Sequence, residues 1–209
     1  MNVHTERLAF AGPGGRVQVL RDRPEGTPRG VAVVAHPHPL FGGTMDNKVV
    51  QTIARAFVQC GWTAVRFNFR GVGTSEGTYD EGSGEALDLQ AVVREYAPAG
   101  PLALAGFSFG AFVTASALQA LWSERELRAL VLVGTAASRF QVPPLPAESH
   151  ERALVIHGEK DETVPLAAAL DWARPQSLPI TVVPGVEHFF HGQLPLLKTL
   201  VVRHLRSLG

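Results

Sequence analysis

Short apolar runs alternate with helix-period patterns along most of the chain. Six runs, residues 31–35, 62–69, 102–107, 129–133, 153–157 and 180–183, are mostly Val, Leu, Ala and Ile with little polar alternation. Such continuity predicts strands buried on both faces, as in a parallel sheet. Between them, Val49, Ile53 and Phe57 share one helical face, as do Ala86, Leu89, Val93 and Tyr96, and then Ala111, Ala115, Leu118 and Trp122. Thr163 with Pro165 marks a helix start, and Leu194, Leu197, Val201 and Leu208 outline a last helix. Ahead of these units, residues 7–11 and 16–21 flank Gly12-Pro13-Gly14-Gly15, a hairpin signal. The pattern predicts an α/β fold: a mostly parallel twisted sheet with two antiparallel strands at its N-terminal edge and helices on both faces.

A chain of 209 residues suits one domain spanning 1–209. The interval between the run ending near Gly134 and the one starting at Ala153 holds Pro143, Pro144 and Pro146 and is too short for a helical lid. A site at the strand ends is therefore expected to be open or partly covered, unless a partner subunit of a homodimer covers it. Nineteen basic and nineteen acidic residues give a formal charge of zero, which leaves no footprint for nucleic acid. The lone Cys60 excludes an internal disulfide, is expected to be a small buried residue at a helix end, and argues with the lack of CxxC pairs against structural zinc. His4, Glu6 and Arg7 interrupt the N-terminus where a signal peptide needs an apolar stretch. No run approaches the roughly 18 apolar residues of a membrane span, so a cytoplasmic protein is expected.

Candidate chemistry centres on Gly106-Phe107-Ser108-Phe109-Gly110, where a serine stands between two glycines at the switch from strand to helix. The glycines let so sharp a turn close without a Cβ striking its neighbours, and the turn presents Ser108 as a nucleophile. Gly73-Thr74-Ser75-Glu76-Gly77 matches the same formula, but it lies past its strand and a Gly-rich acidic segment follows, so Ser75 reads as loop. Serine needs a base within hydrogen-bond reach and a carboxylate to orient that base. Asp161 follows the run 153–157 and His188 follows 180–183, so both stand where ligands gather in open α/β sheets, at the carboxyl ends of strands. Glu159 and Glu162 compete with Asp161, and His191, His150 and His157 compete with His188.

With these residues in place the chain resembles the α/β-hydrolase superfamily. His36-Pro37-His38-Pro39-Leu40-Phe41-Gly42-Gly43-Thr44-Met45-Asp46-Asn47 and Phe67-Asn68-Phe69-Arg70-Gly71-Val72-Gly73-Thr74-Ser75 are similar to segments of small, lidless bacterial hydrolases related to dienelactone hydrolases. The resemblance spans nearly the whole chain. It implies a GxSxG nucleophile, an acid from an HGxxD-type loop and a base from a GxxH-type loop, hence Ser108, Asp161 and His188. Dienelactone hydrolases proper use a cysteine nucleophile, so lactone specificity is not carried over. The resemblance further implies an oxyanion hole with one backbone donor from Phe109 and a second from the loop after residues 31–35. Pro37 and Pro39 have no NH to give, which leaves His38, with Leu40 next.

Two other readings of these segments are weaker. His36 and His38 form an HxH pair, but no third ligand lies near in sequence, so no metal is expected. Gly71-Val72-Gly73 lacks the third glycine and the helix of a dinucleotide site; Asn68 and Arg70 are expected to hold that loop by hydrogen bonds. Phe41, Phe109, Phe140, Phe189 and Phe190 are candidates for an apolar wall. The sequence thus predicts a cofactor-free serine hydrolase acting on a small-molecule ester or thioester. A peptidase or amidase on the same machinery, or a non-catalytic ligand-binding domain, are the alternatives.

Overall fold

The computed structural model describes residues 5–209; His4 lies outside them. In chain order the main elements are β1 (Thr5–Gly12), β2 (Gly15–Asp22), β3 (Val31–Ala35), α1 (Lys48–Gln59), β4 (Thr63–Phe67), α2 (Ser83–Tyr96), β5 (Leu102–Phe107), α3 (Phe109–Leu121), β6 (Leu127–Val133), β7 (Ala153–Gly158), α4 (Leu166–Ala173), β8 (Ile180–Val183) and α5 (Leu194–Ser207). The strands form one eight-stranded sheet in the order β1-β2-β4-β3-β5-β6-β7-β8. β1 pairs antiparallel with β2, and β2 antiparallel with β4. From β4 to β8 every pairing is parallel.

All eight strands expected from the sequence are present. Their ends differ where a polar residue hides or breaks the apolar run. Gly12 pairs with Gly15 across the two-residue Pro13-Gly14 loop, which lengthens both hairpin strands. β4 stops at Phe67 rather than 69, because the Phe69 amide leaves the ladder and donates to His36 Nε2 at 3.0 Å. β6 starts at Leu127, before the exposed Arg128 that conceals its first turn of pairing.

Side chains alternate across the central strands and so feed two cores. Val33 and Ala35 of β3 face α2 and α3, packed with Leu89, Val93, Ala111, Ala115 and Leu118. Ala32 and Val34 face α1 and α5, packed with Ile53, Phe57, Leu197 and Val201. Asn47 starts α1 by accepting the Val49 and Val50 amides at 2.9 and 3.4 Å, satisfying donors that a helix start leaves open. Cys60 caps the far end of α1 and is half-buried rather than buried.

Strand order reverses beside β3: its successor β4 lies on one side and β5 on the other. Loops leaving the carboxyl ends of β3 and β5 therefore diverge and open a crevice between them. The β6–β7 connection contributes only turns and a short 3-10 helix, Ala147–Arg152, so no lid closes over that crevice. Among the described residues no helix is long and apolar enough to cross a membrane.

Candidate active site

Ser108 occupies the one-residue turn between β5 and α3 with φ 57° and ψ −118°, a left-handed conformation that a side chain adopts at a cost. Two neighbours make the turn feasible. A Cβ on Gly106 would lie 2.2 Å from the Gly110 carbonyl oxygen, and one on Gly110 would lie 2.5 Å from the oxygens of Ala35 and His36. The Ser108 amide donates to Val133 O at 2.8 Å, tying the turn to β6.

His188, on the loop after β8, places Nε2 3.0 Å from Ser108 Oγ. Its Nδ1 lies 2.6 Å from Asp161 Oδ2. One tautomer satisfies both contacts: Nδ1–H donates to the carboxylate and Nε2 accepts from the hydroxyl. The other Asp161 oxygen, Oδ1, accepts the Thr163 and Val164 amides at 3.0 and 2.7 Å, so the carboxylate cannot rotate away. All three side chains are largely buried, at 7%, 3% and 5% exposure for Ser108, His188 and Asp161, which shields the linkage from competing water. Phe107 packs on the imidazole at 4.9 Å and Gly134 leaves it room, since a Cβ there would stand 3.1 Å from His188 Cε1.

The competing residues lie elsewhere. His150 is in the 3-10 helix Ala147–Arg152 and outside the lining of the Ser108 cleft. Glu159 accepts the Gly185 amide at 2.7 Å, and Glu162 points to solvent. His191 is exposed and pairs with Glu187. His157 lies behind the carboxylate, its Nε2 2.8 Å from Val164 O and 3.5 Å from Asp161 Oδ2. Ser75 is buried in its loop, donating to Asn68 O at 2.8 Å and accepting the Gln18 amide at 2.9 Å.

Ser108 and His188 lie on the floor of a cleft of about 290 Å³ whose wall includes Phe41, Phe109, Phe140 and Phe189. Phe190, expected in that wall, instead packs with the α1 and α5 core: its φ of 56° turns it away from its neighbour Phe189. The Phe109 and His38 amides donate to no acceptor among the described residues, and both residues line the cleft. The Leu40 amide is used, donating to His38 Nδ1 at 3.2 Å. That contact leaves the His38 proton on Nε2, directed at Tyr79 Oη at 3.2 Å.

Comparison with known proteins accords with this geometry. A sequence profile described as serine aminopeptidase, S33, matches residues 26–154, more than half of the chain. The chain belongs to this hydrolase family. It is similar to XC6422 of Xanthomonas campestris, a lidless α/β serine hydrolase, with 39% identity, 99% of this chain and 96% of that one covered, and a TM-score of 0.87. An α/β serine hydrolase homologue from Coxiella burnetii is also 39% identical, with 96% and 97% covered and a TM-score of 0.81. The uncharacterized protein RP471 of Rickettsia prowazekii is 30% identical over 203 residues, 88% of this chain and 82% of its own length.

The hydrolase braces its cleft with polar contacts between distant loops. Asn68 accepts the Met45 amide at 2.9 Å and donates to Gln18 Oε1 at 2.8 Å. Arg70 donates from Nε and Nη2 to Asp88 of α2 at 2.9 and 2.8 Å, as its expected holding role requires. His36 of the HxH pair hydrogen-bonds through both ring nitrogens: Nδ1 donates to Pro37 O at 2.6 Å while Nε2 accepts from Phe69. Among the described residues no group of three or more His, Cys, Asp and Glu could hold a metal ion. A second hollow of about 510 Å³, with Asp22, Asp46, Arg55, Arg66 and Lys198 among its lining residues, shares no lining residue with the Ser108 cleft.

His36 links the β3 and β4 loops and makes acid stability predictable. Burial pushes its pKa down to about 4, only partly opposed by the Pro37 carbonyl. The unfolded chain takes up a proton on this ring near its ordinary value of 6.5, which the folded hydrolase refuses. The stability it contributes is therefore complete above pH 6.5 and is lost as pH falls toward 4. Urea denaturation at pH 7.5 and 4.5 should show His36→Gln losing about 2 to 3 kcal/mol less than wild type between those pH values. Equal losses would remove His36 from the account.

Proposed function

We propose that the protein hydrolyses carboxylic esters or thioesters of small to medium size through an acyl-enzyme on Ser108. The observation that most supports this reading is the continuous linkage Ser108–His188–Asp161, at 3.0 and 2.6 Å, whose Ser108 and His188 lie on the floor of an apolar cleft. His188 removes the hydroxyl proton as Oγ attacks the acyl carbon, and Asp161 stabilises the imidazolium that forms. The carbonyl oxygen becomes an oxyanion, met by the Phe109 amide at the positive N-terminus of α3 and by the His38 amide. Losing one such donor costs on the order of 3 kcal/mol of transition-state stabilisation. Collapse expels the alcohol or thiol, protonated by His188; the same imidazole then activates water against the acyl-enzyme.

Esters rank above peptides with a free amino terminus because of charge. An aminopeptidase must hold an α-ammonium group, which calls for a carboxylate in the cleft. Asp161 does not line this cleft, no other acidic side chain does, and the charged group on its wall is the cation of Arg139. The test is a panel on purified protein: p-nitrophenyl esters from acetate to octanoate, acyl-CoA thioesters, and aminoacyl p-nitroanilides. Turnover of esters or thioesters well above the anilides, absent in Ser108→Ala, is expected. Faster anilide turnover would replace the esterase reading with a peptidase.

A further inference from the structure

Among the described residues Arg139 is the one arginine that lines the cleft, and its side chain is not tied down as more deeply buried arginines elsewhere are. Arg66 is fixed to Asp22 and Arg70 to Asp88, at 3.0 and 2.8 Å. Among the described residues Arg139 has no hydrogen bond from its guanidinium and no ion pair, yet it lines the cleft with Ser108, Phe109 and His188. Histidines aside, every other lining side chain is uncharged.

Its backbone is held, which fixes where along the cleft the side chain starts. The Arg139 and Phe140 amides both donate to Ala136 O, at 3.2 and 3.1 Å, closing a turn directly after β6. Phe140 stacks on Phe112 at 4.7 Å with the rings 9° apart, and meets Phe109 edge-on at 5.2 Å. The residue next to Arg139 is thus packed against the residue next to the nucleophile. Arg139 is also close enough to the cleft wall that its charge, after burial, lowers the pKa of His38.

Arg139 is exposed, and its unpaired guanidinium beside aromatic walls is free to meet an anion through a field that added salt screens. Its planar fork matches the oxygens of a carboxylate or phosphate. We propose that the ester this site takes carries an anionic group, a carboxylate or a phosphate, that Arg139 binds while the apolar part of the substrate lies against Phe41, Phe140 and Phe189. The inference rests on the esterase reading above and adds the substrate class to it. The β6–β7 connection, too short for a lid, then serves as a selector of charge.

Two matched pairs test the proposal. p-Nitrophenyl hydrogen adipate and p-nitrophenyl methyl adipate differ only in methylation of the far carboxylate. Hexanoyl-4′-phosphopantetheine and hexanoyl-pantetheine differ only in the phosphate of the leaving group. At low ionic strength wild type should favour the anion in at least one pair by about tenfold in kcat/KM, mainly through KM, and the ratio should fall as salt is added. The first pair alone responding identifies a carboxylate on the acyl side; the second alone identifies a phosphate on the leaving group. Arg139→Gln should bring the responding ratio near one and Arg139→Glu should invert it. If either variant fails to fold, the salt titration of wild type reads the same interaction. Ratios near one in both pairs, or a ratio that Arg139→Gln leaves in place, would overturn the proposal. Ser108-dependent turnover of the neutral adipate would then leave the esterase reading standing, whereas no turnover of any substrate would remove that reading first.

Discussion

Ser108→Ala is expected to lower kcat on a p-nitrophenyl ester by about 10⁵-fold while leaving the fold in place. The substitution removes Oγ, which touches His188 at 3.0 Å, and keeps the Cβ that the turn at φ 57° already accommodates. Backbone strain is therefore the same in both proteins, and the thermal midpoint should stay within a few degrees. Residual turnover should come from the His38 and Phe109 amides, which act on water attack as well. His188→Ala should lose a similar factor, and the double variant little more, because nucleophile and base act as one unit. A loss below tenfold with intact folding would mean that another group attacks.

Asp161→Asn carries the second largest effect, a fall in kcat of about 10⁴-fold. Oδ1 is fixed by the Thr163 and Val164 amides, so the asparagine oxygen must stay there to accept them. Its NH₂ then faces His188 Nδ1 and forces the imidazole proton onto Nε2, opposite Ser108. The base becomes a donor where an acceptor is needed. Glu159 cannot compensate while it holds the Gly185 amide, and Glu162 lies in solvent. The signature is a collapse in kcat with KM for a neutral ester little changed. A loss of only a few-fold would show that the tautomer is set by some other contact.

The architecture was legible because buried parallel strands are unbroken apolar runs, and the linkage because its three chemical types each follow such a run. Strand ends were less legible: Asn68 and Phe69 look like strand but spend their polar groups on loops from other parts of the chain. The supporting residues were hidden for the same reason. His36 reaches Phe69, thirty-three positions away, and its histidine character follows from the cavity between two loops rather than from local pattern. Gly134 sits at φ 55° and has His188 arriving beside it, neither of which local pattern shows. Phe189 and Phe190 are adjacent and chemically identical, yet a positive φ sends one to the cleft and the other to the core. Arg139 reads as an ordinary loop cation until the packing of Phe140 fixes where its turn lies.

If Ser108 is the nucleophile and His188 its base, a fluorophosphonate will report both. Intact-mass and peptide analysis should find one adduct per chain on Ser108, none in Ser108→Ala and strongly slowed formation in His188→Ala. A folded wild type that stays unlabelled, or an adduct on Ser75 in its place, would contradict the account.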